Sequence, residues 1–264
     1  MVLDAVLFGI IQGIFEWLPI SSQGNLVLLM VSLFGYSAGD AISYSIFLHT
    51  GTMLAAIVYF RKDVLSILRS LPGYRLNYKE RNGVISFLII ATIITGLVGY
   101  PIYMYLKATP FIGEVFIGLV GIALIFTGMI QRTVKGSGKR NLKNLNLKDT
   151  ILLGITQGLS IIPGISRSGI TVSSLLFRNY NSSSALKLSF LMSIPAIFVA
   201  EIGLGMINGL PSLGIDKIIA GLVFSFVLGM LTIHALIRIA GKFSFWKFCI
   251  IMGIIALLPL LFYA

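Results

Sequence analysis

The sequence predicts an all-α polytopic membrane protein with six transmembrane helices and two broken re-entrant helical hairpins, arranged as an inverted-topology internal repeat. Three observations predict it. Hydrophobic residues make up 57% of the 264-residue chain and charged residues only 11%, whereas a soluble domain carries about 25% charged residues. Apolar runs of bilayer length recur along the chain, and two longer apolar stretches are interrupted near the middle by Pro, Gly and Ser. A shift of 145 residues lays parts of the first half on the second.

Taken in order, the first element is the broken stretch 2–33, which carries the polar motif "QGIFEWLPISSQGN" at 12–25. It has neither a basic leading region nor a small-residue cleavage site, so it reads as part of the mature protein rather than a signal peptide. Uninterrupted runs follow at 41–60, 84–106, 111–130, 185–206, 218–237 and 245–263, each long enough to cross a core of ~30 Å at ~1.5 Å per residue. Between the third and fourth runs lies the second broken stretch, 150–177, which reads as helix, break, helix like the first. Two polar, basic loops complete the chain, 61–83 and 131–149; the second, with "RTVKGSGKRNLKNLNLK", reads as flexible.

The net charge of +11 is concentrated in those loops, which hold twelve of the twenty Lys and Arg residues. In a membrane chain such a bias reports orientation rather than nucleic-acid binding, and none is expected here. Two runs separate the loops, so both fall on one face, the cytoplasmic one by the positive-inside rule. If each broken stretch enters and leaves on one face, then Arg178, Lys187, Arg238, Lys242 and Lys247 also fall inside, Lys107 and Lys217 fall outside, and both termini lie outside. The lone Cys249 sits in an apolar run and reads as a small buried hydrophobe.

The 145-residue shift places Gln12-Gly13 on Gln157-Gly158, Ile20-Ser21 on Ile165-Ser166, and Gly24 on Gly169. A single membrane domain, 1–264, is therefore expected, with repeat halves 1–131 and 150–264 joined by a basic cytoplasmic linker at 132–149. Each half is one broken hairpin followed by three spans. Three is odd, so the second copy enters from the opposite face, and the broken helices meet near the midplane.

Two residues there carry the chemistry. Arg167 lies in "IIPGISRSGIT", 161–171, and a bare Arg in a membrane costs at least ~2.5 kcal/mol, so it needs an anion or an acidic partner. Ser166, Ser168 and Thr171 offer hydroxyls, and Gly164 and Gly169 let the backbone aim amides at a ligand. Hydroxyls, a guanidinium fork and free amides fit a phosphate or diphosphate. The plainer alternative is an Arg167–Glu16 pair across the repeat interface. Trp17 reads as hairpin core, and Glu201, Glu114 and His234, toward span ends, read as snorkelling or paired groups.

On these motifs the chain resembles the undecaprenyl-diphosphate phosphatases, also called bacitracin-resistance proteins. The first hairpin is similar to that family's acidic motif followed by "LPISS", and the second matches its "PGxSRSGxT" signature at 163–171. Further similarity lies in "FLHTGTMLAAIVYFRKD" at 47–63 and "LSFLMSIPAI" at 188–197, so the resemblance covers nearly the whole chain. It implies a phosphoanhydride hydrolase in the plasma membrane. Such an enzyme converts a polyprenyl diphosphate lipid to the monophosphate on the outer face, recycling the carrier for cell-wall or glycan assembly. It also implies a divalent cation, Mg²⁺ first and Ca²⁺ second. Carried over, Glu16 matches the motif's second acid and is the expected metal ligand, Ser22 a proposed nucleophile, and Arg167 the diphosphate-holding arginine. Ser166, Ser168 and Thr171 match its hydroxyl shell, and Gln12, Ser21 and Asn25 fall on the diphosphate side of the first motif.

Two positions depart from the family. Gln12 stands where a second Glu is common, and Asn25 where a His is common; neither side chain carries a proton in general acid-base chemistry. Glu16 itself and His49, mid-span in "FLHTGT", are the candidates to cover the loss; the alternative for His49 is a packing hydrogen bond between spans. Glu16 would take the proton from Ser22 or from an attacking water, and one of Ser21 and Ser22 would cap the next helix. The rival reading is a polyprenyl-phosphate flippase without hydrolysis. A membrane scaffold would leave Glu16 and Arg167 without a purpose. A homodimer is compatible with the chain, though nothing in it demands one.

Overall fold

The computed structural model describes residues 2–78, 80–108, 113–133, 138–162, 164–208, 214–238 and 246–257. Pro163 of the second motif and Lys242 lie outside the described residues. Among those described, the chain is built from helices: α1 (Val2–Phe15), α2 (Ser22–Phe34), α3 (Ala38–Tyr59), α4 (Arg61–Ser70), α5 (Glu80–Ala108), α6 (Gly113–Thr133), α7 (Leu147–Leu159), α8 (Arg167–Phe177), α9 (Ser182–Asn208), α10 (Ile215–Arg238) and α11 (Trp246–Leu257).

Within α3, α5, α9 and α10 the segments Gly39–Tyr59, Asn82–Leu106, Ser182–Gly203 and Ile215–Arg238 are long and apolar enough to cross a bilayer. The protein is therefore a multi-pass integral membrane protein. By contrast α1 and α2 have 14 and 13 residues, and α7 and α8 have 13 and 11. At ~1.5 Å per residue each falls short of the ~30 Å core. They are the half-helices expected of the two broken stretches, and each break falls on its polar motif.

Lipid tails are as apolar as leucine, so helices in a membrane associate through close packing and hydrogen bonds rather than through water exclusion. The contacts follow that rule. α1 lies along α10, and a Cβ on Gly13 would stand 2.7 Å from the Leu228 Cβ. α7 lies along α5, where a Cβ on Gly158 would stand 2.7 Å from the Val98 Cβ. Hydrogen bonds reinforce the second pair: Thr95 donates to the Gly154 carbonyl at 3.2 Å, and Gln157 Nε2 donates to Thr95 Oγ1 at 3.2 Å.

Two stretches read as loops from sequence hold ordered structure. The 61–83 segment contains α4, which buries no residue, followed by a 3-10 turn, Leu71–Gly73. The last part of the 131–149 segment is tied down by Asp149, which is fully buried and takes ion pairs from Arg140 and, at 2.7 Å, from Arg178. Tyr180 also donates to Asp149 at 2.8 Å. The flexible reading therefore fails for 138–149, because a buried carboxylate recruits partners from the α8–α9 turn.

Candidate functional site

Each half-helix pair turns on a serine cap. Ser21 adopts a left-handed backbone (φ 58°) and its Oγ accepts from the Gly24 amide, starting α2. Ser166 caps α8 from an ordinary extended backbone, its Oγ accepting from the Gly169 amide at 3.0 Å. A left-handed serine costs on the order of 1–3 kcal/mol and persists where its surroundings enforce it. Here the enforcing group is Asn25, whose Nδ2 donates to the carbonyls of Ile20 at 2.6 Å and Ser21 at 2.9 Å.

The two turns touch. A Cβ on Gly24 would stand 2.9 Å from the Gly164 Cα, and Gly164 itself has φ 97° with the Val120 carbonyl against it. Only glycine meets both demands at 164. Further bonds lock the pair: Ser168 Oγ donates to the Leu18 carbonyl at 2.8 Å, and Gln131 Nε2 donates to the Pro19 carbonyl. Ser21, Ser22, Gln23, Ser166 and Arg167 all line one cavity. It is thus bordered by two helix N-termini, whose first amides have no intrahelical acceptor and carry partial positive charge.

Glu16 sits in the first turn, buried, and is contacted from four sides. Its Oε1 pairs with Arg167 Nη2; its Oε2 receives Ser22 Oγ at 2.6 Å and Gln12 Nε2 at 3.0 Å and lies 3.1 Å from His49 Nε2. The other ring nitrogen of His49, Nδ1, faces the Ser45 carbonyl at 2.7 Å. Arg167 stacks over Trp17 at 5.5 Å and donates to the Ser189 carbonyl at 3.2 Å, which aims its fork at Glu16. A cation at Glu16 would share an oxygen with these donors.

The expected residues divide into three groups. Glu16, Ser21, Ser22, His49, Ser166 and Arg167 line the cavity, whose volume is about 330 Å³. Gln12 is fully buried behind Glu16, and Asn25 is buried behind the turn. Ser168 and Thr171 point elsewhere: Thr171 Oγ1 donates to the Arg167 carbonyl at 2.7 Å and meets Ser189 Oγ at 2.7 Å. Their hydroxyls hold Arg167 and the first turn in place rather than face the cavity. Arg167 pairs with Glu16, as the plainer reading expected, and it also borders the cavity.

The cavity extends from this polar centre between α5, α7 and α9 along mainly apolar lining, Ile161, Ile165, Ala196 and Ile197 among it. Sequence reasoning missed Glu201 and Thr92, which also line it. A helical signal was present for Glu201, because Ser193, Ile197 and Glu201 recur every fourth residue and share one face of α9. His234 is paired as expected, 3.3 Å from the Tyr59 hydroxyl.

Fold and site together define a multi-pass membrane protein with a buried acid–arginine centre, where two broken hairpins meet and an apolar cavity begins. The profile described as "Bacitracin resistance protein BacA" matches residues 5–258. The chain is 45% identical over 262 residues to an undecaprenyl-diphosphatase of Methanococcoides burtonii, covering 97% of each chain. It is 38% identical to the enzyme of that name in Haloarcula marismortui (96% and 94% covered) and 36% identical to that of Methanopyrus kandleri (96% and 94%). The protein belongs to the BacA family.

Proposed function

We propose that the protein hydrolyses a polyprenyl diphosphate of the undecaprenyl type to the monophosphate and inorganic phosphate, with Glu16, Ser22, His49 and Arg167 as its reacting centre. The observation that carries this is Glu16: one buried carboxylate that orients a serine, an imidazole and a guanidinium where two helix N-termini meet. Relatives named undecaprenyl-diphosphatase over nearly the full chain support it.

The terminal phosphoryl group of the substrate takes the helix N-termini and Arg167, which swings from Glu16 toward the phosphate oxygens. Ser22 Oγ attacks the terminal phosphorus and its proton passes to Glu16 Oε2, 2.6 Å away. The phosphorus–bridging oxygen bond breaks and the lipid monophosphate leaves. Water then attacks the phosphoserine phosphorus and the phosphorus–Oγ bond breaks; Glu16 returns its proton to Ser22 Oγ, and inorganic phosphate leaves carrying the water's oxygen and protons. His49 backs the base: Nδ1 is held by the Ser45 carbonyl, so Nε2 is the nitrogen that exchanges a proton with Glu16. The departing lipid keeps its tail in the apolar part of the cavity.

A divalent cation fits the donor chemistry, because the cavity is lined by the hard oxygens of Glu16 and Glu201, and one buried Glu201 oxygen has no partner. Mg²⁺ takes one or two carboxylates and completes its shell with phosphate and water. It would neutralise charge on the phosphoryl oxygens.

The inverted repeat is supported by matching roles across the 145-residue shift. Gly13 packs α1 on α10 as Gly158 packs α7 on α5, and Ser21 caps α2 as Ser166 caps α8. The charge bias places both basic loops at the cytoplasm in this reading, with the termini and the cavity mouth outside; two contacts support the placing of these groups on one common face. Lys187 reaches Asp63 at 2.8 Å, and Arg178 reaches Asp149 at 2.7 Å, so the groups assigned to one face do meet.

The test is phosphate release from a polyprenyl diphosphate by purified protein with Mg²⁺ and no membrane gradient, beside Arg167→Ala. Release that the variant lowers at least about a hundredfold supports the enzyme, given the value of a charge stabiliser at a phosphoryl centre. Lipid binding without release would instead make the protein a flippase of phosphate lipids.

A further inference from the structure

The cavity has polar lining that the Glu16 centre does not use: Thr92 on α5, Gln157 on α7 and Glu201 on α9. Each carries a buried side-chain oxygen with no hydrogen-bond partner, namely Thr92 Oγ1, Gln157 Oε1 and Glu201 Oε1. Gln157 is only 4% exposed, and its nitrogen is already committed to Thr95 at 3.2 Å, so the free end is the carbonyl oxygen. Glu201 is anchored by the Thr50 side chain and lies within electrostatic reach of His49.

A buried oxygen acceptor left unmet costs about 1–3 kcal/mol, so Gln157 Oε1 and Glu201 Oε1 call for a donor or a cation in the cavity. The diphosphate can meet the Thr92 hydroxyl, which donates, but not these two, because ionised phosphate oxygens only accept. A cation and its waters can. The donors are hard oxygens from an amide, a carboxylate and a hydroxyl, which exclude a soft metal. No group of three His, Cys, Asp or Glu residues forms a metal cage among the described residues. That pattern suits an ion such as Mg²⁺, which keeps several waters and binds through few carboxylates plus substrate phosphate.

We propose that Glu201 is the carboxylate through which this chain holds the divalent cation that accompanies the diphosphate, with Gln157 and Thr92 accepting hydrogen bonds from the cation's waters. Glu201 thereby supplies, from α9, the second acidic group that Gln12 does not provide in the first hairpin. The proposal rests on the phosphatase reading for the diphosphate, whereas the cation alone tests it.

The experiment is titration of Mn²⁺, followed by electron paramagnetic resonance, into the full chain in phosphatidylcholine nanodiscs, with and without methylene diphosphonate. The wild type takes up a bound Mn²⁺. Glu201→Gln weakens it at least about tenfold, and Thr92→Val also weakens it about tenfold, the scale set by outer-shell partners. Gln157→Glu gives up the Nε2 donation to Thr95 but adds a charged oxygen to the cavity, and tightens Mn²⁺. Unchanged Mn²⁺ affinity in Glu201→Gln, or loss only in Glu16→Gln, overturns the proposal. So does a wild type that binds no Mn²⁺, which would leave the three oxygens to water. Loss of phosphate release with Mn²⁺ binding intact would sink the phosphatase reading instead.

Discussion

Replacing Glu16 by Gln separates chemistry from binding at this site. The carboxylate accepts from Ser22 at 2.6 Å and Gln12 at 3.0 Å, contacts His49 at 3.1 Å and pairs with Arg167. A Gln amide in the same space keeps one acceptor oxygen and turns an NH₂ toward groups that are themselves donors. The base is lost, and a positioned general base is worth ~10²–10⁴-fold, or ~3–5 kcal/mol at about 1.36 kcal/mol per decade. Binding moves the other way, because Arg167 loses its internal anion and turns wholly to the ligand. The expected result is phosphate release down about a thousandfold, with a non-hydrolysable methylene diphosphonate analogue bound as tightly as by the wild type or up to about tenfold tighter. Release within about threefold of the wild type would refute Glu16 as the base. Loss of analogue binding would show that the carboxylate serves to build the site rather than to carry the proton.

His49→Ala should lower the rate of phosphate release about 10–100-fold with little change in analogue binding, since His49 reaches the substrate through Glu16; steady-state kinetics checks the split. Gly158→Val should destabilise the α5–α7 contact by about 1–3 kcal/mol, the usual range for overpacking, because the new Cβ would meet Val98 at 2.7 Å. Gly96→Ala, with nothing within 4 Å of its Cβ, should leave the thermal midpoint in detergent unchanged. At Asp149, burial works to raise the carboxyl's pKa, but hydrogen bonds from Arg140, Arg178 and Tyr180 outweigh it and hold it below the ordinary 3.8. Its stabilisation is therefore full above pH 3.8 and is lost as pH falls through the lowered value. Asp149→Asn should cost about 3 kcal/mol at neutral pH, the low end for a buried pair because Arg178 is 39% exposed. Melting curves of the two proteins should converge below pH 3.8.

Much of the fold was legible because membrane chains write their helices as apolar length. The four longest helices fall on the runs 41–60, 84–106, 185–206 and 218–237, and the breaks in 2–33 and 150–177 fall on their polar motifs. The core of the site was legible for a related reason: Glu16 and Arg167 are too costly in a membrane to be idle. What escaped depends on side-chain direction. Ser168 and Thr171 belong to the same signature as Ser166, yet one turn of helix sends their hydroxyls to Leu18, Ser189 and the Arg167 carbonyl. Glu201 escaped because it lies 185 residues from Glu16, and only packing brings α9 to the cavity. α4 escaped because the mean polarity of 61–83 hid an amphipathic stretch.

The departures at Gln12 and Asn25 make sense once each position is read by what it touches. Asn25 uses its amide to hold the Ile20 and Ser21 carbonyls, fixing the left-handed serine that presents Ser22 to Glu16. An imidazole is not needed there for proton transfer if one arrives from elsewhere, and His49 brings one from α3 to the same carboxylate oxygen that Ser22 uses. Gln12 likewise donates to that oxygen where a second carboxylate would repel it. A single negative charge then faces Arg167 and balances it, whereas a second carboxylate at 12 would leave the centre net negative and repel a diphosphate. On the cation proposal the second acid of the cavity is Glu201, which comes from α9 rather than from the first hairpin. Under the proposed mechanism the amides at 12 and 25 therefore serve to hold the carboxylate and the turn, and His49 is the imidazole left in contact with Glu16.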